Sequence, residues 1–320
     1  MNEKSTHIKK IVVTGALGHI GSRLFRSLPD TFPAAEFVLL DDFTTQRYIS
    51  LFNLPQNGRY CFFEIDVLKN DLEEFFSGAD AVIHLAAITN AAGSFEIREQ
   101  VEEVNFSGTE KVANACLKTG TPLLFLSTTS VYGTQTEVVD ENCSEEELQP
   151  QSPYAESKLR AEKYLNELGQ SEGLRYVICR FGTIFGTSPG MRFHTAVNKF
   201  IWQACLGIPL TVWSSALDQQ RPYLDLEDAV RALGFIIAND MFDREIFNVL
   251  TLNATVREIV AEIRKQVPDL QVELVDAPIM NQLSYQVSCA KFCECGFRFA
   301  GDLEKRVAES VALLQGVRRW

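Results

Sequence analysis

Short apolar runs alternate with longer polar stretches through the first 180 residues of the chain. The six runs are KKIVVTG, EFVLLDD, YCFFEID, DAVIHLAA, PLLFLST and RYVICRFG. Runs rich in Val, Ile, Leu and Phe are typical of strands buried on both faces, and the intervening stretches are long enough for crossover helices. The pattern therefore predicts an α/β protein with a doubly wound parallel sheet.

The rhythm changes after residue 182, where a segment rich in Gly, Pro, Thr and Ser begins. The stretches that follow predict the helix NKFIWQACLG, the strand PLTVW, a strand and helix in RPYLDLEDAVRALGFIIAND, the strand FNVL and the helix TVREIVAEIRKQV. We expect a smaller C-terminal α/β domain that caps the sheet. The predicted division assigns residues 7–182 and 218–250 to the sheet domain, and residues 183–217 and 251–320 to the smaller domain.

Composition and charge exclude several classes of protein. Hydrophobic residues make up 46% of the 320 residues and charged residues 22%, which is typical of a globular enzyme. The formal net charge of −12 has the wrong sign for a general binder of nucleic acid. The sequence shows no signal-peptide core and no apolar run long enough for a membrane span. We therefore expect a cytoplasmic protein without nucleic-acid or membrane partners.

The eight cysteines do not form a recognisable metal or disulfide framework. Most lie in apolar segments, as free buried thiols do. The one cluster, Cys289, Cys293 and Cys295, lacks the paired CxxC arms of zinc sites and has no neighbouring histidine. The sequence predicts no metal site.

A glycine-rich turn follows the first predicted strand. In TGALGHIG, Gly15, Gly18 and Gly21 let the backbone approach a pyrophosphate, whose charge meets the amino end of the next helix. Asp41 ends the second strand, where a carboxylate can accept both hydroxyls of an adenosine ribose. The alternative is a solvated acidic pair, Asp41 and Asp42. Since the carboxylate would repel a 2′-phosphate, the pattern predicts NAD rather than NADP.

Three further segments fit a dinucleotide site. Asp66 ends the third strand, where its side chain would face the adenine. The fourth strand ends in small residues, which would let a cofactor lie on the backbone. Asn105 would fix either a helix kink or an active-site water, with a purely structural buried Asn as the alternative.

The strongest catalytic signal is the pair Tyr154 and Lys158 in SPYAESK. Ser152 and Pro153 are typical of a helix start, so the pair lies four residues apart on one helix face. Thr128 ends the preceding predicted strand, PLLFLST. We expect the Lys158 ammonium to lower the pKa of Tyr154, so that the phenol can exchange a proton with a sugar hydroxyl.

These motifs together resemble the extended short-chain dehydrogenase/reductase family, in its NAD-dependent nucleotide-sugar epimerase/dehydratase branch. The matching stretches are TGALGHIG, HLAA, STTSVYG, YAESK, RFGTIFG and RPYLDLEDAV, so the resemblance covers nearly the whole chain. It implies a Rossmann fold in which the sheet domain binds NAD and the smaller domain binds a nucleotide-sugar. It also implies a homodimer, formed through a four-helix bundle that includes the Tyr154 helix.

The resemblance carries residue roles with it. Thr128, Tyr154 and Lys158 would form the catalytic triad, and Arg221 would face the substrate diphosphate. The cofactor-binding residues that it implies are Gly15, Leu17, Gly18, His19, Ile20, Gly21, Asp41, Asp42, Phe43, Asp66, Val67, Leu85, Ala86, Ala87, Asn105, Ser127, Tyr154, Lys158 and Phe181. The substrate-binding residues that it implies are Thr128, Thr183, Asn198, Trp213 and Arg221.

The residues after Thr128 favour one reaction within the family. Dehydratases and decarboxylases resemble one another in placing carboxylates there, whereas this chain has Thr129 and Ser130. An epimerase needs one proton carrier and the nicotinamide, so we expect epimerisation of a nucleotide-sugar, at carbon 4. Two departures, Thr183 for a usual Asn and Leu283 for a usual Arg, predict a specialised sugar pocket.

Other readings remain open from the sequence. An NAD(H)-dependent reductase or dehydrogenase of a related sugar would share every catalytic residue, and a dehydratase is a further alternative. A non-catalytic dinucleotide sensor is disfavoured by the intact triad. Arg192 and His194 would either compensate for the missing Arg or form a solvated loop pair.

Overall fold

The computed structural model describes residues 7–133, 138–276, 284–314 and 316. The strands are β1 (Lys10–Thr14), β2 (Glu36–Asp41), β3 (Arg59–Glu64), β4 (Ala81–His84), β5 (Leu123–Thr128), β6 (Val138–Val139), β7 (Tyr176–Phe181), β8 (Thr183–Phe185), β9 (Leu210–Trp213), β10 (Gln220–Asp225), β11 (Asp243–Val249), β12 (Leu252–Thr255), β13 (Val272–Val275) and β14 (Gln286–Val287). The helices are α1 (His19–Thr31), α2 (Glu73–Phe76), α3 (Arg98–Glu102), α4 (Gly108–Thr119), α5 (Pro153–Ser171), α6 (Ala196–Cys205), α7 (Leu226–Ala238), α8 (Val256–Gln266), α9 (Ala290–Glu294) and α10 (Leu303–Leu313), with a π-helical turn over Glu103–Ser107.

The large sheet has seven parallel strands in the order β3-β2-β1-β4-β5-β7-β11. The chain runs outward from β1 to β3, then returns to β4 and runs outward in the other direction. This order confirms the predicted doubly wound α/β fold. Ligands of such sheets bind where the order reverses, at the carboxyl ends of the strands, which here means β1 and β4.

Helices cover both faces of this sheet. On one face, Phe25 of α1 and Leu233 of α7 are fully buried in the same apolar cluster as the inward side chains of β1 and β2. On the other face, Cys116 of α4 and Leu165 of α5 are equally buried. Burying each large apolar side chain contributes roughly 1.5–3 kcal/mol, so these two layers hold the strand ends in fixed positions.

A smaller α/β unit lies beyond the carboxyl ends of the large sheet. It contains the three-stranded sheet β12-β10-β8 and the pair β13-β9. A separate apolar cluster joins α6, α8 and α10 to these strands, with Phe185, Ile259 and Val307 fully buried. The smaller unit therefore has its own core.

Two segments depart from the predicted division of the chain. Strand β10 falls in the segment 218–250, yet it belongs to the small sheet. It pairs in parallel with β8 and antiparallel with β12. Phe292 of α9 falls in the segment 251–320, yet it packs against Phe235 and Phe247 beside the large sheet. The two units are therefore interleaved along the chain more than the sequence pattern indicates.

The described residues contain neither a membrane-spanning helix nor a metal-binding cluster. None of their helices combines the length and apolar character that a membrane crossing requires. They also hold no cluster of three His, Cys, Asp or Glu side chains with the spacing of a metal site.

Candidate active site

A cavity of about 1030 Å³ opens at the carboxyl ends of the central strands, between the large sheet and the smaller unit. The large sheet contributes the ends of β1 to β5, and the smaller unit contributes residues from α6, β9 and β10. Pockets for one small molecule measure about 300–1,000 Å³. The cavity therefore lies at the upper end of the range for ligand pockets.

The three glycines of the first turn have different physical reasons for lacking a side chain. Gly15 has φ +63°, and a Cβ there would lie 2.5 Å from Ala86 N. A Cβ on Gly21 would lie 2.3 Å from Ala16 O, so this glycine allows α1 to pack closely on the turn. Gly18 is less crowded, since its Cβ would meet Gly15 O at 3.2 Å, and it lines the cavity. Gly18 thus leaves backbone accessible to a phosphate.

Asp41 is fixed beside this turn by backbone hydrogen bonds. Leu17 N donates to Asp41 Oδ2 at 3.0 Å, and Phe43 N donates to Oδ1 at 3.1 Å. Burial raises the pKa of Asp41, and the two N–H groups oppose that rise. The carboxylate borders the cavity. Leu17 and Phe43 do not line the cavity, and their role here is to hold Asp41 through their backbone N–H groups.

Most of the expected cofactor residues surround the same cavity. Those that line it are Gly15, Gly18, His19, Ile20, Gly21, Asp41, Asp42, Asp66, Val67, Leu85, Ala86, Ala87, Ser127, Tyr154, Lys158 and Phe181. Asp66 pairs with Lys69 at 2.8 Å, at the end of the cavity formed by β2 and β3. The residues therefore extend from the predicted adenosine end to the predicted nicotinamide end.

The start of α5 places the expected catalytic residues. Ala155 N donates to Ser152 Oγ at 3.2 Å, and Pro153 occupies the first helical turn, as the sequence predicts. The Tyr154 phenol interacts with the side chain of Thr128, the last residue of β5. Lys158 lies one helical turn further on, and all three residues line the cavity. Strand β5 and helix α5 thus bring the proposed triad together.

The protonation pattern differs from the sequence-based expectation. Burial raises the pKa of Tyr154 to about 12, although its bond with Thr128 opposes that shift. Burial also lowers the pKa of Lys158 to about 7, against the charge of Glu162. Lys158 Nζ lies 4.6 Å from the centre of the Phe125 ring. The expected lowering of the Tyr154 pKa by Lys158 is not found, because desolvation is the largest influence on both groups.

Besides Leu17 and Phe43, two further expected ligand-binding residues do not line the cavity. Asn105, in the π-helical turn, accepts from Ile88 N at 2.8 Å and donates to Ile88 O and Ser157 Oγ. Asn198 bonds with both backbone groups of Gly186, each at 3.2 Å. Both amides are buried and bonded to backbone groups, so they hold neighbouring loops in place. Asn105 lies within the π-helical turn between α3 and α4.

The opposite wall holds the remaining expected substrate residues. Thr183, Trp213 and Arg221 line it, whereas Thr128 lines the large-sheet side of the cavity. The Arg221 guanidinium lies 5.3 Å from the centre of the Tyr285 ring and donates to Gln219 Oε1 at 2.8 Å. Leu283 lies outside the described residues.

Several cavity residues were not recognised from the sequence. Arg47, Arg192, Lys199, Gln219 and Tyr285 all line the cavity. They come from loops and from a face of α6 whose hydrophobic pattern carries no ligand signal. Arg192 had been considered only as a compensating or solvated loop residue, and the structure turns it toward the cavity.

The carboxylates that line the cavity are unevenly distributed. Among the described residues they are Asp41, Asp42, Asp66 and Glu103, all on the side of β2, β3 and the π-helical turn. Thr129 and Ser130 follow Thr128, as read from the sequence, and both line the cavity. The described wall around Thr128, Trp213 and Arg221 thus offers hydroxyls, amides and cations but no carboxylate.

Sequence comparison identifies relatives of this chain. Residues 11–249 match the profile of the NAD dependent epimerase/dehydratase family. An uncharacterised UDP-glucose epimerase, YtcB of Bacillus subtilis, is 31% identical over 75% of this chain and 76% of its own length. The trifunctional UDP-glucose 4,6-dehydratase, 3,5-epimerase and reductase RHM3 of Arabidopsis thaliana is 26% identical over 90% of this chain. The match covers 45% of the Arabidopsis protein, so this chain spans less than half of it.

Structural comparison agrees with the sequence match. A UDP-N-acetylglucosamine 4-epimerase of Methanobrevibacter ruminantium, solved with UDP-N-acetylmuramic acid, superposes with a TM-score of 0.82 at 25% identity. The superposition covers 95% of this chain and 97% of that one. The resemblance to the extended short-chain dehydrogenase/reductases is therefore confirmed. The chain belongs to the NAD-dependent epimerase/dehydratase family of enzymes, and NAD is its cofactor.

Proposed function

We propose that this protein epimerises a nucleotide-activated sugar at carbon 4 through a transient keto-sugar. One observation carries the proposal: Thr128, Tyr154 and Lys158 meet in a cavity whose described substrate-side wall has no carboxylate. Elimination of water and assisted decarboxylation need an additional acid or base near the sugar. Reversible oxidation of one carbon needs only the proton carrier and the nicotinamide.

The residues of the cavity suit NAD as the retained redox partner. The open backbone at Gly18 fits a pyrophosphate, Asp41 fits the adenosine ribose, and Phe181 borders the place proposed for the nicotinamide. When bound, NAD supplies an acceptor and donor of hydride. Asp41 would disfavour the additional phosphate of NADP, because two negative groups would be forced together in a partly buried site.

Tyr154 is the proposed proton carrier. As the phenolate, it would take the proton from the sugar O4 as carbon 4 is oxidised, and the resulting phenol would return that proton when carbon 4 is reduced on its other face. Thr128, hydrogen-bonded to Tyr154, would hold the same oxygen. Lys158 would stabilise the phenolate whenever its own amine is charged. The keto-sugar must turn over within the cavity, whose volume allows it.

The opposite wall is proposed to hold the nucleotide diphosphate. Arg221 would contact it, and Trp213 and Thr183 would face the sugar or the base. The named activities of YtcB and of the Methanobrevibacter enzyme both concern UDP-sugars, which favours UDP as the nucleotide. A charge-assisted contact of Arg221 with a phosphate would contribute about 1.5–3 kcal/mol.

Three wider assignments belong to the same proposal. We propose that residues 7–182 with much of 218–250 form the NAD-binding domain, and that 183–217 with much of 251–320 bind the substrate. We also propose a homodimer in which α4 and α5 pair with their copies in a four-helix bundle. The enzyme would act in cytoplasmic carbohydrate metabolism. Light scattering that shows a monomer at micromolar concentration would contradict the dimer.

Ligand-induced stabilisation tests the substrate assignment. Purified protein is heated with UDP-, GDP-, CDP- and dTDP-sugars, since a specific ligand raises the unfolding temperature with the logarithm of its concentration over Kd. We expect UDP-sugars to give the largest shift and to be interconverted without added NAD. Turnover that requires added NAD and accumulates NADH would support a dehydrogenase.

A further inference from the structure

We propose that Arg192 binds the pyrophosphate of NAD, reaching across from the loop that leads into the smaller unit. The inference concerns how the cofactor is held and goes beyond the sugar reaction. Its test uses neither a sugar nor turnover, so it can fail while the proposed function stands.

The loop before Arg192 is docked on the glycine turn. Gly190 N donates to Ser22 Oγ at 3.0 Å, and Ser188 Oγ donates to the backbone oxygen of His19 at 2.8 Å. A Cβ on Gly190 would lie 2.2 Å from Leu17 O, so only glycine allows this approach. The loop backbone therefore lies directly against the turn where a phosphate is expected.

Arg192 follows two residues later and lines the cavity. Burial lowers the pKa of Arg192, and the negative charge of Asp41 opposes that shift. The guanidinium is therefore close enough to Asp41 for the two charges to interact. Among the described residues, no hydrogen bond or ion pair is formed by this side chain. A partly buried guanidinium whose N–H groups lack acceptors is energetically unfavourable, and a bound anion would supply those acceptors.

A second arginine lies beside the turn. Arg47 Nη1 would be 3.7 Å from a Cβ on Gly18, and Arg47 also lines the cavity. Two guanidiniums thus line the cavity that contains the accessible backbone of Gly18, in a chain of net charge −12. Their two positive charges match the two negative charges of a dinucleotide pyrophosphate, and planar guanidiniums bind phosphate oxygens in pairs.

The 2′-phosphate of NADP is the competing partner for Arg192. Asp41 makes this partner unfavourable, because its fixed carboxylate would lie beside the 2′-phosphate and repel it. At the glycine turn, by contrast, the amino end of α1 favours an anion. We therefore assign Arg192 to the phosphates that every NAD molecule carries.

Binding of ADP-ribose and adenosine to Arg192→Gln tests this assignment. ADP-ribose contains the pyrophosphate, whereas adenosine retains only the base and ribose. We expect the Kd of ADP-ribose to rise about ten- to a hundredfold, and that of adenosine to change less than about twofold. The salt dependence of ADP-ribose binding should also weaken, because one phosphate contact is lost.

Two further variants serve as controls. Arg175→Gln removes the same charge from an exposed pair with Asp240 and should leave both affinities unchanged. Arg192→Lys keeps the positive charge but loses the planar guanidinium that can bind two phosphate oxygens at once. Its affinity for ADP-ribose should lie between those of the wild type and Arg192→Gln. Unchanged ADP-ribose binding in Arg192→Gln would overturn the proposal. An equal loss of affinity for adenosine would also overturn it, because that result indicates a structural role. A larger loss of affinity for NADP than for NAD would overturn it too, because that result indicates a contact with the 2′-phosphate.

Discussion

Tyr154 and Lys158 occupy one buried site in which neither charge is favourable. Burial raises the pKa of the phenol to about 12 and lowers that of the amine to about 7. The sequence shows their spacing but not their desolvation, which depends on α5 packing against β5. A bound cofactor and a polar sugar would change that balance by supplying hydroxyl groups to both residues.

Replacing Tyr154 by Phe should separate catalysis from cofactor binding. The variant keeps the ring and loses the hydroxyl that exchanges a proton, while Asp41 and Gly18 are untouched. We expect kcat to fall by about 10²- to 10⁴-fold, with NAD content after purification unchanged. Loss of bound NAD in parallel with activity would show that Tyr154 acts mainly in binding.

Gly18→Val should remove the dinucleotide without unfolding the protein. The added side chain would occupy the space beside Gly15 O and Arg47 through which a pyrophosphate approaches. Gly234→Ala is the control, because its Cβ would meet only Leu28 Cδ2 at 3.8 Å. Denatured Gly18→Val should release no NAD, whereas the control should release the wild-type amount. Stoichiometric NAD in the valine variant would make Gly18 a structural turn residue only.

Replacing Asp41 by Ala should change the choice of cofactor. We expect the wild-type protein to bind NAD at least about tenfold more tightly than NADP, since one charge-assisted contact has that size. The variant loses the ribose contacts and the repulsion of a 2′-phosphate, so the ratio should narrow. Isothermal titration with both cofactors measures it. A wild-type preference for NADP would refute the role of Asp41.

At the scale of elements, the apolar rhythm of the sequence predicts the large sheet and its helices. Each buried strand of a parallel sheet is continuously apolar and therefore visible. The short strands β8, β12 and β14 were not predicted, because they contain polar residues and pair only within the small sheets. The position of Arg192 depends on how the loop after β8 docks on α1, which no local pattern encodes.

A buried ion pair fixes α5 behind the proposed catalytic residues. Arg180 Nη2 of β7 lies 2.6 Å from Glu162 Oε2, with both side chains nearly inaccessible, and Ser127 donates to the same carboxylate. Glu162 follows Lys158 by one helical turn, and Ser127 precedes Thr128. The pair therefore connects β5, β7 and α5 at the point where the triad forms.

Glu162→Gln should destabilise the protein strongly. It leaves the Arg180 charge buried without its counter-ion, a change that typically costs about 3–5 kcal/mol. Glu156→Gln provides the control, because its pair with Arg98 is largely exposed and exposed pairs contribute little. Urea unfolding monitored by circular dichroism measures both. Equal stability of the two variants would contradict this account of α5.

At the scale of the molecule, one buried histidine joins several elements. The Thr14 hydroxyl lies 2.7 Å from His84 Nδ1, and Thr109 Oγ1 of α4 lies 3.2 Å from Nε2. Because the Thr109 hydroxyl donates to Asn105 O, it accepts from Nε2, so this nitrogen carries a proton. Burial lowers the pKa of His84 to about 3, with the Lys158 charge adding to that effect.

Stability should therefore fall as pH falls below about 6.5, the ordinary histidine value. Between 6.5 and 3 the unfolded chain binds a proton at His84 that the folded protein does not, so the free energy of unfolding decreases by up to ~1.4 kcal/mol per pH unit. In His84→Gln, unfolding between pH 6.5 and 4.5 should take up about one proton fewer than in the wild type, so the free energy of unfolding should change less with pH. His7→Gln, at an exposed position, should not. Identical pH slopes for wild type and His84→Gln would contradict the assignment.

The fate of a deuterium label at carbon 4 tests the central claim most directly. Protein purified with its NAD is incubated with a UDP-sugar deuterated at carbon 4, without added cofactor, and the products are analysed by NMR and mass spectrometry. Epimerisation predicts that the label is recovered at carbon 4 of a sugar with inverted configuration. Accumulation of deuterated NADH in solution, with a keto-sugar as the released product, would contradict it.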